Sequence, residues 1–417
     1  MNSPKKDNLK TNFKVYSYRN LSILVIINST KTGETINVMA PRIKRLCLEL
    51  FILLPGIFFG QEYVQTPDVH IKHLPEIVTI NGKPTVYYEL HIANFSDTPV
   101  KFTRLDVQGL PDSIPVFSVT GDEWQFRHKA AGTEKPLPDN VLPPGGASVI
   151  FMEFTLPPAT KDKTLVHHLQ FIHPENAEIK TVSFAGPVLE PHKTTVVLGP
   201  PLRDGPWTAI YSPDWERGHR RVFYTEGGKV RIPGRFAIDF MQTDSKGKLA
   251  KGDEDLVKNR YGYGADILAV ADGTVASARD DFMESATISG HPRYPSGKAT
   301  GNYVSLKISG DRYVFYEHLK PGSIRVRPGQ KVKKGEVIAS LGFTGQSTDP
   351  HLHLHVADSD SPLGAEGLPF LFEQFTLLGS YKDFSRFGEM PWTPVNRDSG
   401  QEKHRERPAP NTVIRFH

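Results

Sequence analysis

The sequence lacks the cysteines that a disulfide framework or a thiolate metal site needs. Cys47 is the one cysteine among 417 residues. This scarcity excludes a disulfide-stapled fold and a structural zinc site built from several thiolates. Net charge is also small, at +4. A balance this close to zero does not indicate a protein that binds nucleic acid.

The small basic excess lies at the start of the chain. The first 60 residues contain nine Lys and Arg against three Asp and Glu, and the remainder contains 41 against 43. A chain that began after residue 60 would therefore carry a formal charge of −2. We expect no nucleic-acid partner.

Long apolar runs are scarce as well. The stretch from Leu46 to Phe59, with Glu49 as its charged interruption, follows three basic residues at positions 42, 44 and 45. It is too short to span a bilayer and is typical of the apolar part of a secretory signal peptide.

This pattern predicts a signal peptide at about residues 39–60, with Met39 as the true start and residues 1–38 as an upstream extension. Gly60 is a plausible residue before the cleavage site. We therefore expect an exported protein, periplasmic or extracellular, with no stable membrane span after cleavage. The mature chain would then contain no cysteine.

Short runs that alternate apolar and polar residues dominate residues 61–195. Three examples are 85–92 (TVYYELHI), 147–154 (ASVIFMEF) and 165–172 (LVHHLQFI), with turn-forming residues between them. Regularly spaced short strands of this kind are typical of an all-β sandwich. We therefore predict an immunoglobulin-like accessory domain over 61–195.

A second strand-rich region is predicted over residues 196–375, after a Pro- and Gly-rich stretch at 199–206. Within it, residues 303–308 and 313–318 alternate on either side of Gly310-Asp311, which indicates a hairpin. The composition becomes polar after residue 395, and we expect residues 376–417 to form a polar, poorly ordered tail. The predicted fold class is mainly β.

The segment Pro350-His351-Leu352-His353-Leu354-His355-Val356 is the most informative in the chain. On a strand, the period of two places the three histidines on one face, with neighbouring imidazoles about 6–7 Å apart. Such a row is typical of a metal or catalytic site, although surface histidines on a half-buried strand are the simpler alternative.

At roughly residues 230–357 the sequence resembles the lysostaphin-like zinc metallopeptidases, which cut peptide bonds in bacterial peptidoglycan. The resemblance rests on Tyr316-Glu317-His318-Leu319, on Pro350-His351-Leu352-His353, and on three connecting segments. These segments are 269–275 (AVADGTV), 301–304 (GNYV) and 326–332 (VRPGQKV).

The resemblance implies an antiparallel β peptidase domain that binds one Zn²⁺ per chain and acts on peptidoglycan peptides. It also implies roles for particular residues. Asp239 and His353 match the family's zinc ligands, and His318 and His351 match the histidines that assist catalysis.

One position departs from the family pattern. Where the first histidine ligand belongs, this chain has Arg235, and a protonated guanidinium offers no lone pair to a metal. His219, 16 residues earlier, and His355, on the predicted histidine face, are candidates for the third ligand.

Two further explanations stay open. Zinc binding is weak or lost, and the chain is a degenerate domain that binds or regulates at the cell wall. Alternatively, fewer protein groups hold the zinc while Arg235 contacts a carboxylate of the substrate. The enzyme is the leading hypothesis, because a scaffold alone gives no chemical reason for His318 and His351.

Overall fold

The computed structural model describes the backbone of residues 11–18, 21–30 and 33–37, and residues 65–417 except 134, 159–163, 189–195, 217 and 396–399. The predicted signal peptide, its start at Met39 and Cys47 lie outside the described residues. Two compact units are present, Met1–Val64 and Gln65–His417.

The first unit contains one antiparallel sheet of three consecutive strands. They are β1 (Thr11–Tyr18), β2 (Leu21–Thr30) and β3 (Gly33–Asn37).

The N-terminal part of the second unit consists of two five-stranded sheets. The first contains β4 (Asp68–His70), β5 (Glu76–Ile80), β6 (Lys83–Ala93), β9 (His128–Ala130) and β11 (Ala147–Thr155). The second contains β7 (Val100–Leu110), β8 (Ile114–Val119), β10 (Val141–Leu142), β12 (Thr164–His173) and β13 (Asn176–Val188). A short helix, α1 (Glu123–Arg127), precedes β9.

One hydrophobic core lies between these two sheets. Alternate residues of β7 and β12 are buried, as the sequence pattern predicts. Tyr88, Phe102, Ile150 and Leu169 are fully buried members of this core. We call β4–β13 the N-terminal sandwich; that it is an immunoglobulin-like β-sandwich ending at residue 195 stays a prediction.

The rest of the chain is organised around a sheet of 13 strands. In chain order they are β14 (Val196–Leu198), β15 (Trp207–Ile210), β18 (Ile238–Gln242), β20 (Gly273–Arg279), β21 (Tyr303–Ile308), β22 (Arg312–Glu317), β23 (Lys331–Val332), β25 (Leu352–Ala357), β26 (Gly367–Leu368), β27 (Phe370–Ser380), β28 (Thr393–Pro394), β29 (Gln401–Glu406) and β30 (Thr412–Arg415). Two small pairs accompany it: β16 (Tyr224–Glu226) with β17 (Lys229–Arg231), and β19 (Asp266–Leu268) with β24 (Val337–Ser340).

Short 3₁₀ turns connect several strands: Pro138–Asn140, His219–Arg221, Pro233–Phe236, Val257–Asn259, Ser296–Lys298 and Phe384–Arg386. No helix among the described residues is long and apolar enough to cross a membrane. The predicted mainly β fold is confirmed.

The predicted hairpin is present. Strands β21 and β22 pair in antiparallel register from Val304 opposite Tyr316 to Ile308 opposite Arg312. His318 follows the last residue of β22 directly. The hairpin thereby delivers this histidine to the centre of the large sheet.

The C-terminal region differs from the expected polar tail. Strand β27 runs across the predicted boundary at 375, and β30 lies between β27 and β15 in the large sheet. Val413, Ile414 and Phe416 are buried there. The prediction of a polar tail was wrong because the polar residues around 396–407 dominate the composition of this region, whereas the apolar strand that follows them is short. Strand β29 consists of polar residues, and most of its side chains are exposed.

Candidate metal centre

Three neighbouring strands of the large sheet place the predicted site residues side by side. Strand β25 lies between β18 and β22. Asp239 on β18 pairs with His353 on β25, and His353 pairs in turn with Glu317 on β22. Directly paired residues project from the same face of a sheet. The three side chains therefore share one face.

Asp239 contacts three histidines. Its Oδ1 lies 2.8 Å from His353 Nδ1 and 3.4 Å from His351 Nε2, and its Oδ2 lies 3.0 Å from His219 Nε2. Burial alone would raise the pKa of Asp239, but His219 and His351 hold that pKa well below its usual range. These contacts thus favour the charged form of the carboxylate, which is the form that a metal ligand requires.

His219 reaches this carboxylate from a different part of the chain. It begins the 3₁₀ turn His219–Arg221, and its ring packs edge-on against the ring of His353 with 4.7 Å between centroids. Gly234 permits this approach, because an added Cβ there would lie 2.9 Å from the His219 carbonyl oxygen. Burial alone would lower the pKa of His219, but Asp239 raises it.

These residues fit a zinc ion. His219, Asp239 and His353 each present a ligand atom within 4.8 Å of the other two. Tetrahedral zinc with bonds of about 2.0–2.1 Å places its ligand atoms about 3.3 Å apart. Asp239 Oδ1 lies 2.8 Å from His353 Nδ1, and Asp239 Oδ2 lies 3.0 Å from His219 Nε2, so each imidazole is close to this spacing against a different oxygen of the carboxylate. Two imidazoles and one carboxylate form a ligand set found in catalytic zinc sites.

His351 lies next to this set with its tautomer fixed. Its Nδ1 donates to the carbonyl oxygen of Asp349 at 2.7 Å, because a carbonyl oxygen can only accept. In the neutral imidazole Nε2 is then the nitrogen with the lone pair, and it lies 3.4 Å from Asp239 Oδ1. Asp349 is itself held by Arg260 at 2.8 Å.

His318 lies beside His351, with 4.5 Å between ring centroids. It occupies the left-handed backbone region at φ 63°, which is uncommon for a residue other than glycine and often marks a functional position. Its Nδ1 donates to the carbonyl oxygen of Thr344 at 2.8 Å. Burial lowers the pKa of His318 well below its usual value.

His355, the other candidate for the third ligand, lies elsewhere on the same face. It stacks on Phe315, and its Nδ1 lies 3.7 Å from Glu317 Oε1. Its ligand atoms come close to those of Glu317 and His353. His219, which contacts Asp239 directly, is therefore the better candidate.

Arg235, which the sequence suggested as a contact for the substrate, is bound by acceptors of the protein itself. Its side chain is only 2% exposed and donates to Glu89 at 2.9 Å. It also pairs with Glu366 and donates to the carbonyl oxygen of Gly367. A guanidinium enclosed in this way cannot meet a substrate carboxylate.

The match to a known family covers the central part of this geometry. Residues 255–364 match the family model described as Peptidase family M23. That segment contains His318, His351 and His353, while His219 and Asp239 precede it. This chain contains an M23 peptidase domain.

Several proteins are similar to the M23 domain of this chain. Over 90 residues it is 39% identical to a protein of Haemophilus influenzae described as an uncharacterized metalloprotease, covering 22% of this chain and 15% of that protein. Over 86 residues it is 35% identical to the peptidoglycan DD-endopeptidase ShyA of Vibrio cholerae serotype O1, covering 18% and 20%. The chain thus spans a fifth or less of these relatives.

Solved structures with similarity to the chain include the catalytic domain of lysostaphin from Staphylococcus simulans. That likeness has 20% identity, covers 40% of this chain and 88% of that chain, and has a TM-score of 0.22. A zinc containing peptidase from Vibrio cholerae shows 15% identity, coverage of 73% and 86%, and a TM-score of 0.21.

Sequence reasoning missed the residues that support the histidines. Asp349, Thr344 and Glu317 were not singled out, although Glu317 stands within the Tyr-x-His-Leu segment. Their roles come from backbone carbonyls and from pairing across strands, which leave little trace in a sequence. The nearest signal was the position of Asp349 directly before Pro350-His351.

Proposed function

We propose that this chain is a zinc-dependent endopeptidase that hydrolyses peptide cross-links of bacterial peptidoglycan. The observation that carries the proposal is the position of the Asp239 carboxylate, which lies between His219 and His353 with His351 beside it. The similarity to peptidoglycan DD-endopeptidases of Vibrio cholerae supports this substrate class. Such a substrate lies outside the cytoplasm, in agreement with the predicted signal peptide.

His219, Asp239 and His353 would hold the zinc ion in this proposal. When bound, zinc supplies Lewis-acid polarisation of a carbonyl oxygen and lowers the pKa of water to about 7. Their exposed side-chain fractions, 27%, 18% and 12%, leave the centre accessible from one side.

His351 is proposed as the general base. With its Nδ1 proton committed to Asp349, its Nε2 takes a proton from the attacking water. The water oxygen bonds to the scissile carbonyl carbon and the peptide C–N bond breaks. The leaving nitrogen must then gain a proton.

His318 is proposed to assist that last proton transfer. Its Nδ1 is engaged by Thr344, so only Nε2 can exchange a proton at the site. The proton that His351 takes from the water would pass to Nε2 of the neighbouring His318, whose ring centroid lies 4.5 Å from that of His351. Because burial lowers the pKa of His318, the ring would give this proton up readily. Such a group readily gives a proton to a leaving amine.

Incubation of the full chain with purified peptidoglycan fragments tests the proposal. We expect new amino termini, detected by mass spectrometry, that disappear with a chelator and in Asp239→Ala. His168→Ala, at a half-buried histidine of β12 that contacts Ser183, is the matched control and should retain activity. Zinc binding without cleavage would instead favour the cell-wall binding or regulatory alternative.

A further inference from the structure

The turn that carries His219 is held in place by contacts with the N-terminal sandwich. Its next residue, Arg220, is only 4% exposed, and its guanidinium lies against β6 and β11 of the N-terminal sandwich. Four acceptors there surround the guanidinium: Glu89 Oε1 at 3.0 Å, Glu153 Oε2 at 3.3 Å, and the carbonyl oxygens of Tyr88 and Met152, each at 2.8 Å.

Arg221, the third residue of the turn, is fixed in the same direction. Its guanidinium lies 3.9 Å from the centre of the Phe151 ring on β11. Its Nη2 donates to the carbonyl oxygens of Phe126 and Pro213 at 2.9 and 2.6 Å. Two consecutive arginines therefore attach the turn to the sandwich.

Glu89 of the sandwich binds arginines from two turns near the metal centre. Burial alone would raise its pKa, but Arg235 and Arg220 lower that pKa to about 2. Its carboxylate is thus charged, and it binds one arginine from each of the turns His219–Arg221 and Pro233–Phe236. The second of these turns leads directly into β18, which carries Asp239.

Packing across the same boundary is apolar. Tyr87 of β6 belongs to the core of the large sheet and meets Phe236 edge-on at 5.4 Å between ring centroids. Buried aromatic contact combined with buried, fully paired charges fixes one relative arrangement, because a displaced arginine would leave a carboxylate buried and unpaired.

We propose that the N-terminal sandwich completes the metal centre, with Arg220 as the positioning residue that holds His219 at Asp239. This inference rests on the proposed zinc site and assigns the sandwich a role in it. His219, the proposed replacement for a ligand at position 235, lies on a different turn from Pro233–Phe236, and the contacts of Arg220 with the sandwich hold that turn in place.

A double-mutant cycle in the full chain tests the proposal. The zinc dissociation constant is measured by chelator competition for the parent, Arg220→Ala, His219→Ala and the double variant. We expect Arg220→Ala to weaken zinc binding by about 10–100-fold, as loss of a residue that orients a ligand does. In the His219→Ala background, Arg220→Ala should have no further effect, because the residue acts through His219.

Two additional variants keep the test decisive. Arg127→Ala removes another arginine that donates to carbonyl oxygens of β11 but comes from α1, and it should leave zinc affinity unchanged. Arg220→Lys retains the charge beside Glu89 but not the fork of donors. If Arg220→Ala fails to fold, Arg220→Lys replaces it in the cycle, with a smaller expected loss and the same lack of additivity.

Equal effects of the Arg220 substitution in both backgrounds would overturn the positioning role and leave the zinc site intact. Unchanged zinc affinity in Arg220→Ala would do the same. A parent chain that binds no zinc would overturn the proposed function, and this inference with it.

Discussion

At the residue scale, the proposed zinc site lacks one histidine ligand of the family and has another imidazole near the same carboxylate. Arg235 occupies the family's histidine position but is committed to Glu89 and Glu366. His219 approaches Asp239 from another segment and offers an imidazole in its place. Arg235 thus joins the large sheet to the sandwich, and in the proposed zinc site the ligand role passes to His219, 16 residues earlier.

Substitution of His351 tests the division of roles within the centre. We expect His351→Ala to lower kcat by about 10²–10⁴-fold, the contribution typical of general acid–base catalysis. Zinc content should stay near that of the parent, because His351 is outside the proposed ligand set. Steady-state kinetics on peptidoglycan fragments, with metal analysis of the same sample, checks both; His168→Ala serves as control. Unchanged kcat would remove His351 from the mechanism.

The sequence predicted the histidine row because the period of a strand places alternate residues on one face. The resemblance to the lysostaphin-like family also predicted Asp239 as a zinc ligand. It could not decide between His219 and His355, because the choice depends on where a turn folds back in space. His355 lies on the same face of β25 as His353 but beside Phe315 and Glu317, whereas His219 contacts Asp239.

At the element scale, the strands β6 and β11 and the turn His219–Arg221 are joined through buried charges. Composition and periodicity predicted the strands of the sandwich, because each strand buries alternate side chains. They gave no indication that Glu89, a charged residue within β6, would be buried against two arginines. A single carboxylate in a segment that alternates apolar and polar residues predicts an exposed side chain.

The acid sensitivity of this junction follows from Glu89. Its pKa is about 2 in the folded protein and has an ordinary value of 4.5. The unfolded chain therefore binds more protons, and the stabilisation, about 3 kcal/mol, is present above pH 4.5 and is lost as the pH falls towards 2. Glu89→Gln should be destabilised by about 3–5 kcal/mol at pH 7, since two buried arginines lose a charged partner.

Urea unfolding at pH 7 and near the acid end of the stable range measures this effect. The difference in unfolding free energy between the parent and Glu89→Gln should shrink as the pH falls. Glu123→Gln, at an exposed carboxylate of α1, controls for loss of a negative charge. A difference that stays constant with pH would show that Glu89 is not the group that titrates.

At the scale of the whole molecule, the C-terminal residues complete the large sheet. Strand β30 fills the position between β27 and β15, and β15 is the neighbour of β18, which carries Asp239. A polar composition suggested a loose tail, because composition averages over a window longer than the four residues of β30. No local sequence pattern encodes the order of strands in the sheet, and it is this order that places β30 next to β15 and β27.

Single substitutions distinguish an integrated strand from a tail. Ile414 is fully buried, so Ile414→Ala should lower the free energy of unfolding by about 2–5 kcal/mol. Gln401→Ala, at an exposed position of β29, should change it by less than about 0.5 kcal/mol. Chemical denaturation of the full chain gives both values. Equal, negligible effects would mean that the C-terminal residues do not pack on the sheet.

Zinc binding by the full chain and its His219→Ala variant is the most direct test of the account. The parent and the His168→Ala control should bind one zinc per chain. In His219→Ala and in Asp239→Ala the affinity should fall by at least about 100-fold, beyond the loss typical for residues that only orient a ligand. Zinc bound by His219→Ala as tightly as by the parent would contradict the assignment of His219 as the third ligand.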